Sequence, residues 1–379
     1  MAGKKRKIRV EFRKNRQNRA RSNDLTRDIS DAGDDRSSHA GSERMTGKGD
    51  LTRYRTVVVD EETEGSPQRD VSPDDCAEGR VLSAVGLNCF VQGRDGETYE
   101  CTVRRVVRTM SRDSRNAVVT GDRVLFRPSG SRSESEVPQG VIERVEPRKG
   151  VVSRRQDNRE HVLAANVDQA AIVASADEPP LKPSLIDRFI VSCEKGGVEP
   201  LVCVNKADLV PPRSLDSLVR LYANLGYRVL PTSIIDGRGV AELRSLLAGK
   251  TTVFTGQSGV GKSSLLNTTQ PSLDLKTGDV SDWTMKGRHT TRRAVLLPLE
   301  GGGYVVDTPG IRQFLLWEVD PAEVEGYFAE FVRYVPQCRF PDCGHTHEDD
   351  CAVKRAVALG MISPGRYESY LRIISDEDA

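Results

Sequence analysis

The chain has 379 residues, 37% of them hydrophobic, and a formal net charge of +1. That length can hold two or three domains, each with its own core. No apolar run approaches the roughly 20 residues needed to cross a bilayer and the basic N-terminus lacks the apolar stretch of a secretory signal, so membrane and exported classes are set aside and a cytoplasmic protein is expected.

In chain order, residues 1–27 carry eleven Lys/Arg against two acids. Such an arm can neutralise nucleic-acid phosphates, or it can be a solvated tail. Residues 1–76 are poor in apolar side chains and rich in Arg, Asp, Ser and Gly. They are expected to form a disordered basic extension. Residues 77–152 hold five short alternating runs, "GRVLSAV", "NCFVQ", "TYECTVRR", "DRVLFRP" and "GVIERVEP", separated by Gly, Asp and Ser punctuation. Five strands in so short a span fit an all-β OB-fold barrel, expected here as an RNA-binding domain only if the downstream motifs point to RNA, and the count alone also admits an SH3-like barrel. "PSGSRSESEVPQG" (128–140) reads as a long polar loop.

Over residues 153–316 the rhythm changes. "QAAIVAS", "EPLVCVNKADL", "YRVLPTS" and "TTVFTG" read as buried strands. They alternate with the helical runs "SLIDRFIVSCEKGG", "SLDSLVRLYANLG" and "GVAELRSLLAG". Strands alternating with helices of this length give an α/β domain with a parallel sheet. Residues 317–379 turn helical, with "PAEVEGYFAEFVRYV", a Cys/His cluster, "CAVKRAVALGMI" and "SPGRYESYLRIIS". No coiled-coil pattern is present, and a monomer is expected.

"GQSGVGKS" matches G-x-x-x-x-G-K-[ST] between a strand and a helix, the context of a phosphate-binding P-loop. Gly256, Gln257, Ser258, Gly259, Val260, Gly261, Lys262, Ser263 and Ser264 are the candidate contacts. Backbone N–H groups and the helix N-terminus would face phosphate oxygens. Lys262 would meet the β/γ-phosphates and Ser263 would ligate Mg²⁺. "NKAD" (205–208) ends a strand of the same sheet. Asp208 can accept from N1–H and the exocyclic amine of guanine, a donor pair that adenine lacks. Asn205 can bond the base, Lys206 can pack its stem over the ring, and Ala207 lies between them. "TSIIDG" supplies Thr232 and Ser233, the latter as the backbone contact to the guanine oxygen. "DTPG" (307–310) supplies Asp307 for Mg²⁺ and the Gly310 N–H for the γ-phosphate. GTP/GDP is therefore the expected ligand.

The order of these motifs is inverted, because the guanine-reading NKAD precedes the phosphate-reading loop. A site needs its loops adjacent in space and does not depend on their order along the chain. Chain ends in compact domains often lie close together, so a circularly permuted connectivity preserves the site.

"MKGRHTTRR" (285–293) lies where a switch threonine belongs, and Thr290 or Thr291 can fill that role. Many GTPases orient the attacking water with a Gln just past the DxxG glycine, and Ile311 stands there instead. His289 can orient water or take a proton, or it can serve only to dock the loop. The candidate catalytic set is therefore His289, Thr290, Thr291 and Lys262.

The eight cysteines do not form a disulfide framework, which suits a reducing compartment. "CRFPDCGHTHEDDC" contains Cys338, Cys343, His345 and Cys351, three thiolates and an imidazole that fit one closed, structural Zn²⁺ site. His347 could replace His345.

With these motifs in hand, the chain resembles the bacterial RsgA/YjeQ family of ribosome small-subunit-dependent GTPases over about residues 78–375. The resemblance rests on the order NKAD, GQSGVGKSSLLN, GRHTT, DTPGIRQF and the Cys/His cluster. It implies an OB-fold, a permuted GTPase domain and a helical zinc domain. It further implies a late assembly factor that binds the 30S subunit and its 16S rRNA and is stimulated by them. The family's histidine before the paired threonines maps onto His289, and its apolar replacement of Gln onto Ile311. The chain departs from the family where the run of threonines ends in Arg292, and in the length of its basic extension. Two other readings are a GTP-dependent regulator of a non-ribosomal partner and a GTP sensor that does not hydrolyse.

Overall fold

The computed structural model describes residues 5–11, 43–45, 54–60, 68–69, 71, 76–85, 88–110, 117–133, 136–156, 159–273, 275, 294–307 and 321–375. The chain divides into two compact units, Met1–Lys149 with His161–Asn166 and Arg293–Leu296, and Gly150–Glu160 with Val167–Arg292 and Leu297–Ala379.

In the first unit, the extension expected to be disordered carries four strands, β1 (Lys5–Glu11), β2 (Glu43–Met45), β3 (Tyr54–Asp60) and β4 (Gln68–Arg69). β3 pairs antiparallel with the other three. The composition argument averages over the whole extension and misses the β-branched runs in "KRKIRVE" and "YRTVVVD", which favour strands.

The five expected barrel strands are β5 (Ala77–Val85), β6 (Asn88–Gly93), β7 (Thr98–Val103), β8 (Arg123–Arg132) and β9 (Pro138–Val145). They run in the order β5-β6-β7-β9-β8 and close through β5 and β8. All pairs are antiparallel except β7 with β9. This closed five-stranded arrangement is the OB topology and settles the choice between barrels. A short helix, α1 (Arg105–Met110), follows β7 and begins at the last residue of the run that reads as strand. Val81, Val91, Cys101, Val124, Phe126 and Ile142 fill the interior. The loop expected at 128–140 is mostly strand. Ser129 and Ser131 Oγ hydrogen-bond Gln139 across the hairpin, and Ser133 N–H reaches Val137 O at 2.8 Å.

After the barrel comes β10 (Val151–Gln156) of the second unit, then β11 (Arg159–Ala165), most of which belongs to the first. The second unit continues with β12 (Gln169–Ser175), α2 (Pro183–Gly196), β13 (Glu199–Asn205), α3 (Asp216–Asn224), β14 (Arg228–Pro231), α4 (Val240–Leu247), β15 (Thr251–Thr255) and α5 (Lys262–Thr269). β16 (Val295–Pro298) and β17 (Tyr304–Asp307) come next. Strands β14-β13-β12-β15-β17 form one parallel sheet. Its centre is apolar on both faces, with Ile172, Val202 and Val253 on one and Val173, Leu201 and Phe254 on the other, as helices on both sides require. Sequence order reverses between β12 and β15, and that is where open α/β sheets bind ligands at their carboxyl ends.

The C-terminal segment is helical, with α6 (Pro321–Val324), α7 (Ala352–Ala358) and α8 (Pro364–Ile374). The single helix expected over 321–335 is broken into α6 and a 3₁₀ turn, Glu325–Tyr327. Phe328 and Phe331 are fully buried, and they pack with Tyr370 of α8. Val191 of α2 belongs to the same apolar cluster. Among the described residues, no helix is long and apolar enough to cross a membrane.

Candidate functional site

β15 delivers the P-loop at the carboxyl edge of the sheet, and α5 leaves from it at Lys262. Gly261 has φ 90°, and a Cβ there would lie 2.6 Å from Asn205 Nδ2, so glycine is required on two counts. Lys262 Nζ donates to Gly256 O at 2.9 Å and Gln257 O at 2.8 Å, which holds the ammonium over the loop. Ser258 and Gly259 are exposed, Val260 is buried, and Ser263 and Ser264 open the helix at intermediate exposure.

Two neighbouring strands bring the guanine loops to the same edge. β13 ends at Asn205, and the register sets Ser175 against Asn205 and Val204 against Pro231. Asn205, expected at the base, is 1% exposed and has its amide committed elsewhere. Its Nδ2 donates to Val260 O at 2.8 Å, and its Oδ1 accepts from Thr232 Oγ1 at 3.1 Å. One side chain thus joins the P-loop, the NKAD loop and the Thr232 loop. No local pattern signals that role, because its partners lie 55 and 27 residues away. Lys206 is in the left-handed region (φ 59°), and its ammonium donates to Glu178 O. Ala207 N–H donates to Thr232 O at 3.0 Å, and Asp208 stands exposed in the turn that follows.

Ser233, expected to offer its N–H to the guanine oxygen, gives it to Arg238 O at 3.0 Å instead. Its Oγ accepts from Ile235 N–H at 3.1 Å and Asp236 N–H at 3.3 Å, which shapes the turn. The intervening Ile234 N–H has no hydrogen-bond partner among the described residues.

Asp307 ends β17, beside the P-loop strand in the sheet. Burial pushes its carboxyl up to about 6. A neighbouring divalent cation favours the charged form. His289, Thr290, Thr291, Gly310 and Ile311 lie outside the described residues.

The second constellation is built on the C-terminal turns. One ligand atom from each of Cys338, Cys343, His345 and Cys351 lies within 4.8 Å of the others. Cys338 Sγ is 3.9 Å from Cys351 Sγ, and His345 Nδ1 is 3.6 Å from the first sulfur and 3.4 Å from the second. A tetrahedral metal with bonds near 2.3 Å needs edges of about 3.8 Å, so the set fits and could hold one metal ion. His345 Nε2 faces Glu325 Oε2 at 2.7 Å, a carboxylate that directs Nδ1 toward the cluster. His347 is exposed and pairs with Thr346 Oγ1, which leaves His345 as the candidate ligand. Desolvation raises the Glu348 carboxyl, but N–H donors from Gly344 and Thr346 outweigh it and bring it down to about 2. That clasp fixes the ligand loop.

α8 braces this loop from one side and grips α2 from the other. Tyr367 and Tyr370 hydroxyls donate to His345 O at 2.7 Å and Gly344 O at 2.9 Å. Arg366, buried, reaches Asp187 of α2 at 2.7 Å and Glu330 at 2.7 Å. Tyr222 Oη donates to Asp187 at 2.5 Å.

Comparison with known proteins gives the same reading. The family model for the RsgA GTPase matches residues 145–317. The chain is 41% identical over 308 residues to the small ribosomal subunit biogenesis GTPase RsgA of Chlorobaculum parvum, covering 79% of this chain and 98% of that protein. It is also 41% identical to the protein of the same name from Photorhabdus laumondii, covering 79% and 85%. Among solved structures, YjeQ from Thermotoga maritima superposes with a TM-score of 0.65 at 35% identity, covering 79% of this chain and 98% of that one. YloQ, described as a circularly permuted GTPase, gives 0.62 at 27% identity, covering 81% and 97%. A phosphate loop and a guanine loop tied together by Asn205 in permuted order, a barrel before them, a Cys₃His cluster after them and this likeness along most of the chain lead to one conclusion: the chain belongs to the RsgA GTPase family.

Proposed function

We propose that the protein is a GTP phosphohydrolase acting late in assembly of the small ribosomal subunit. The observation that carries this is the Asn205 amide, which binds the phosphate loop to the guanine-reading loops at one sheet edge. The P-loop backbone and Lys262 bind phosphate oxygens, Asp208 takes the two guanine donors, and the Ile234 N–H takes the guanine oxygen. Ser263 and Asp307 would hold Mg²⁺, which offsets phosphate charge when bound. His289 orients the attacking water, and Thr290 or Thr291 closes over the γ-phosphate. The Cys₃His cluster holds Zn²⁺ as a structural staple for the small C-terminal segment.

The functional divisions in this reading are the extension to residue 76, the barrel to 152, the permuted GTPase domain to 316 and the zinc domain to 379. The relatives named as small ribosomal subunit biogenesis GTPases support the small subunit as the partner, and to this we add its 16S rRNA, a cytoplasmic location and a monomeric state. The barrel and the basic extension supply the RNA contact.

Co-sedimentation tests this reading. In a non-hydrolysable GTP analogue the protein should pellet with 30S and not with 50S particles, and GDP should release it. Equal pelleting with both subunits, or none, would contradict it.

A further inference from the structure

Arg238 stands between the loops that flank the base, and no motif marks it. It occupies a tight turn between Gly237 (φ 77°) and Gly239 (φ 68°). A Cβ on Gly239 would come within 2.4 Å of Pro231 O, so the turn admits no side chain there. From this turn the Arg238 guanidinium reaches back across the site. Nη1 donates to Ala207 O at 3.3 Å and Nη2 to Asp236 Oδ2 at 2.8 Å. Asp236 Oδ1 accepts the Arg238 N–H at 2.9 Å. That N–H bond holds the Asp236 carboxyl below the usual carboxylate range, so at neutral pH it is charged and able to orient the guanidinium.

The consequence falls on Asp208. Ala207 is fixed at both backbone groups, its N–H by Thr232 O and its C=O by Arg238. Asp208 is the next residue, in the 3₁₀ turn Ala207–Leu209. The Arg238 carbonyl also takes the Ser233 N–H, next to Ile234. One residue therefore anchors the peptides on both sides of the guanine edge.

We infer that Arg238, held by Asp236, is a positioning residue that sets the preference of the site for guanine over hypoxanthine. The inference rests on the reading of Asp208 as the guanine reader. Guanine offers Asp208 two donors, N1–H and the exocyclic amine, and hypoxanthine offers only N1–H. A carboxylate in register takes both. A carboxylate whose turn is loosened loses the two-point geometry, and with it the advantage of guanine.

The test is competition of GDP and IDP against a fluorescent GDP on the full-length protein, with thermal unfolding run alongside. The variants are Arg238→Ala, Asp236→Ala, Arg238→Lys and Asp208→Asn. Arg238 is 41% exposed, so its truncation leaves the fold intact. In both alanine variants the ratio of IDP to GDP dissociation constants should fall about three- to tenfold, GDP weakening and IDP changing little. Lysine should not restore the ratio, because one ammonium lacks the fork that spans Ala207 O and Asp236. A ratio unchanged in the alanine variants, or equal weakening of both nucleotides, overturns the inference while the loss of discrimination in Asp208→Asn keeps the guanine reading. Discrimination that survives in Asp208→Asn removes the guanine reading and this inference together.

Discussion

Arg366→Met strands two carboxylates in the core. Arg366 and Asp187 are each 1% exposed and Glu330 is 9% exposed. The guanidinium is bidentate on Glu330 at 2.7 and 3.1 Å, meets Asp187 at 2.7 Å, and lies 4.4 Å above the Phe328 ring. Methionine replaces most of the apolar stem, so the loss is mainly one of charge compensation. Breaking a buried pair by removing one partner costs about 3–5 kcal/mol. Two stranded carboxylates push toward the upper end, while the Tyr222 hydroxyl still donates to Asp187 and pulls the cost back. We expect about 4 kcal/mol, which lowers the melting midpoint by about 8–16 °C for a unit of this size. Calorimetry of the full chain, resolving the transition of the GTPase-bearing unit, measures it. Neutralising the partners as well, with Asp187→Asn and Glu330→Gln added, should recover most of the loss. A loss under about 1 kcal/mol, or no recovery in the triple variant, would refute the reasoning.

Asn205→Ala removes the amide that joins three loops, and GDP affinity measured by calorimetric titration should drop about 10- to 100-fold; a change within about twofold would show that the loops hold themselves together. His345→Ala should lose the bound metal and His347→Ala should keep it, as read by elemental analysis of purified protein. Glu325→Gln should retain the metal but release it to a competing chelator about 10- to 100-fold more readily, because the His345 ring loses its orienting carboxylate. His289→Ala should cut subunit-stimulated GTP turnover strongly and leave GTP affinity nearly unchanged, and an undiminished stimulated rate would remove this histidine from hydrolysis.

Those parts of the site that bind through local chemistry were legible in the sequence. The P-loop needs its glycines and lysine at fixed spacing, and the Cys/His quartet falls within a short segment, so both could be read directly. The alternation of strand and helix located the parallel sheet, because buried strands and amphipathic helices leave different periods. Pairings across distance could not be read. Arg366 meets Asp187 from 179 residues away, and a buried ion pair leaves no periodic trace in either segment. Arg238 is silent for a similar reason, since its distant partner, Ala207 O, is a backbone carbonyl, which any residue type provides. The broken helix at 321–335 shows tertiary packing overriding propensity, as Phe328 and Phe331 must both enter one core with α8. The strands of the extension were hidden by a composition averaged over too long a window.

Steady-state GTP hydrolysis by the full-length protein, alone and with 30S, 50S or 70S particles, tests the central claim most directly. We expect slow turnover in isolation and strong stimulation by 30S particles, well beyond any effect of 50S. A rate that no particle changes would contradict a switch that works on the small subunit.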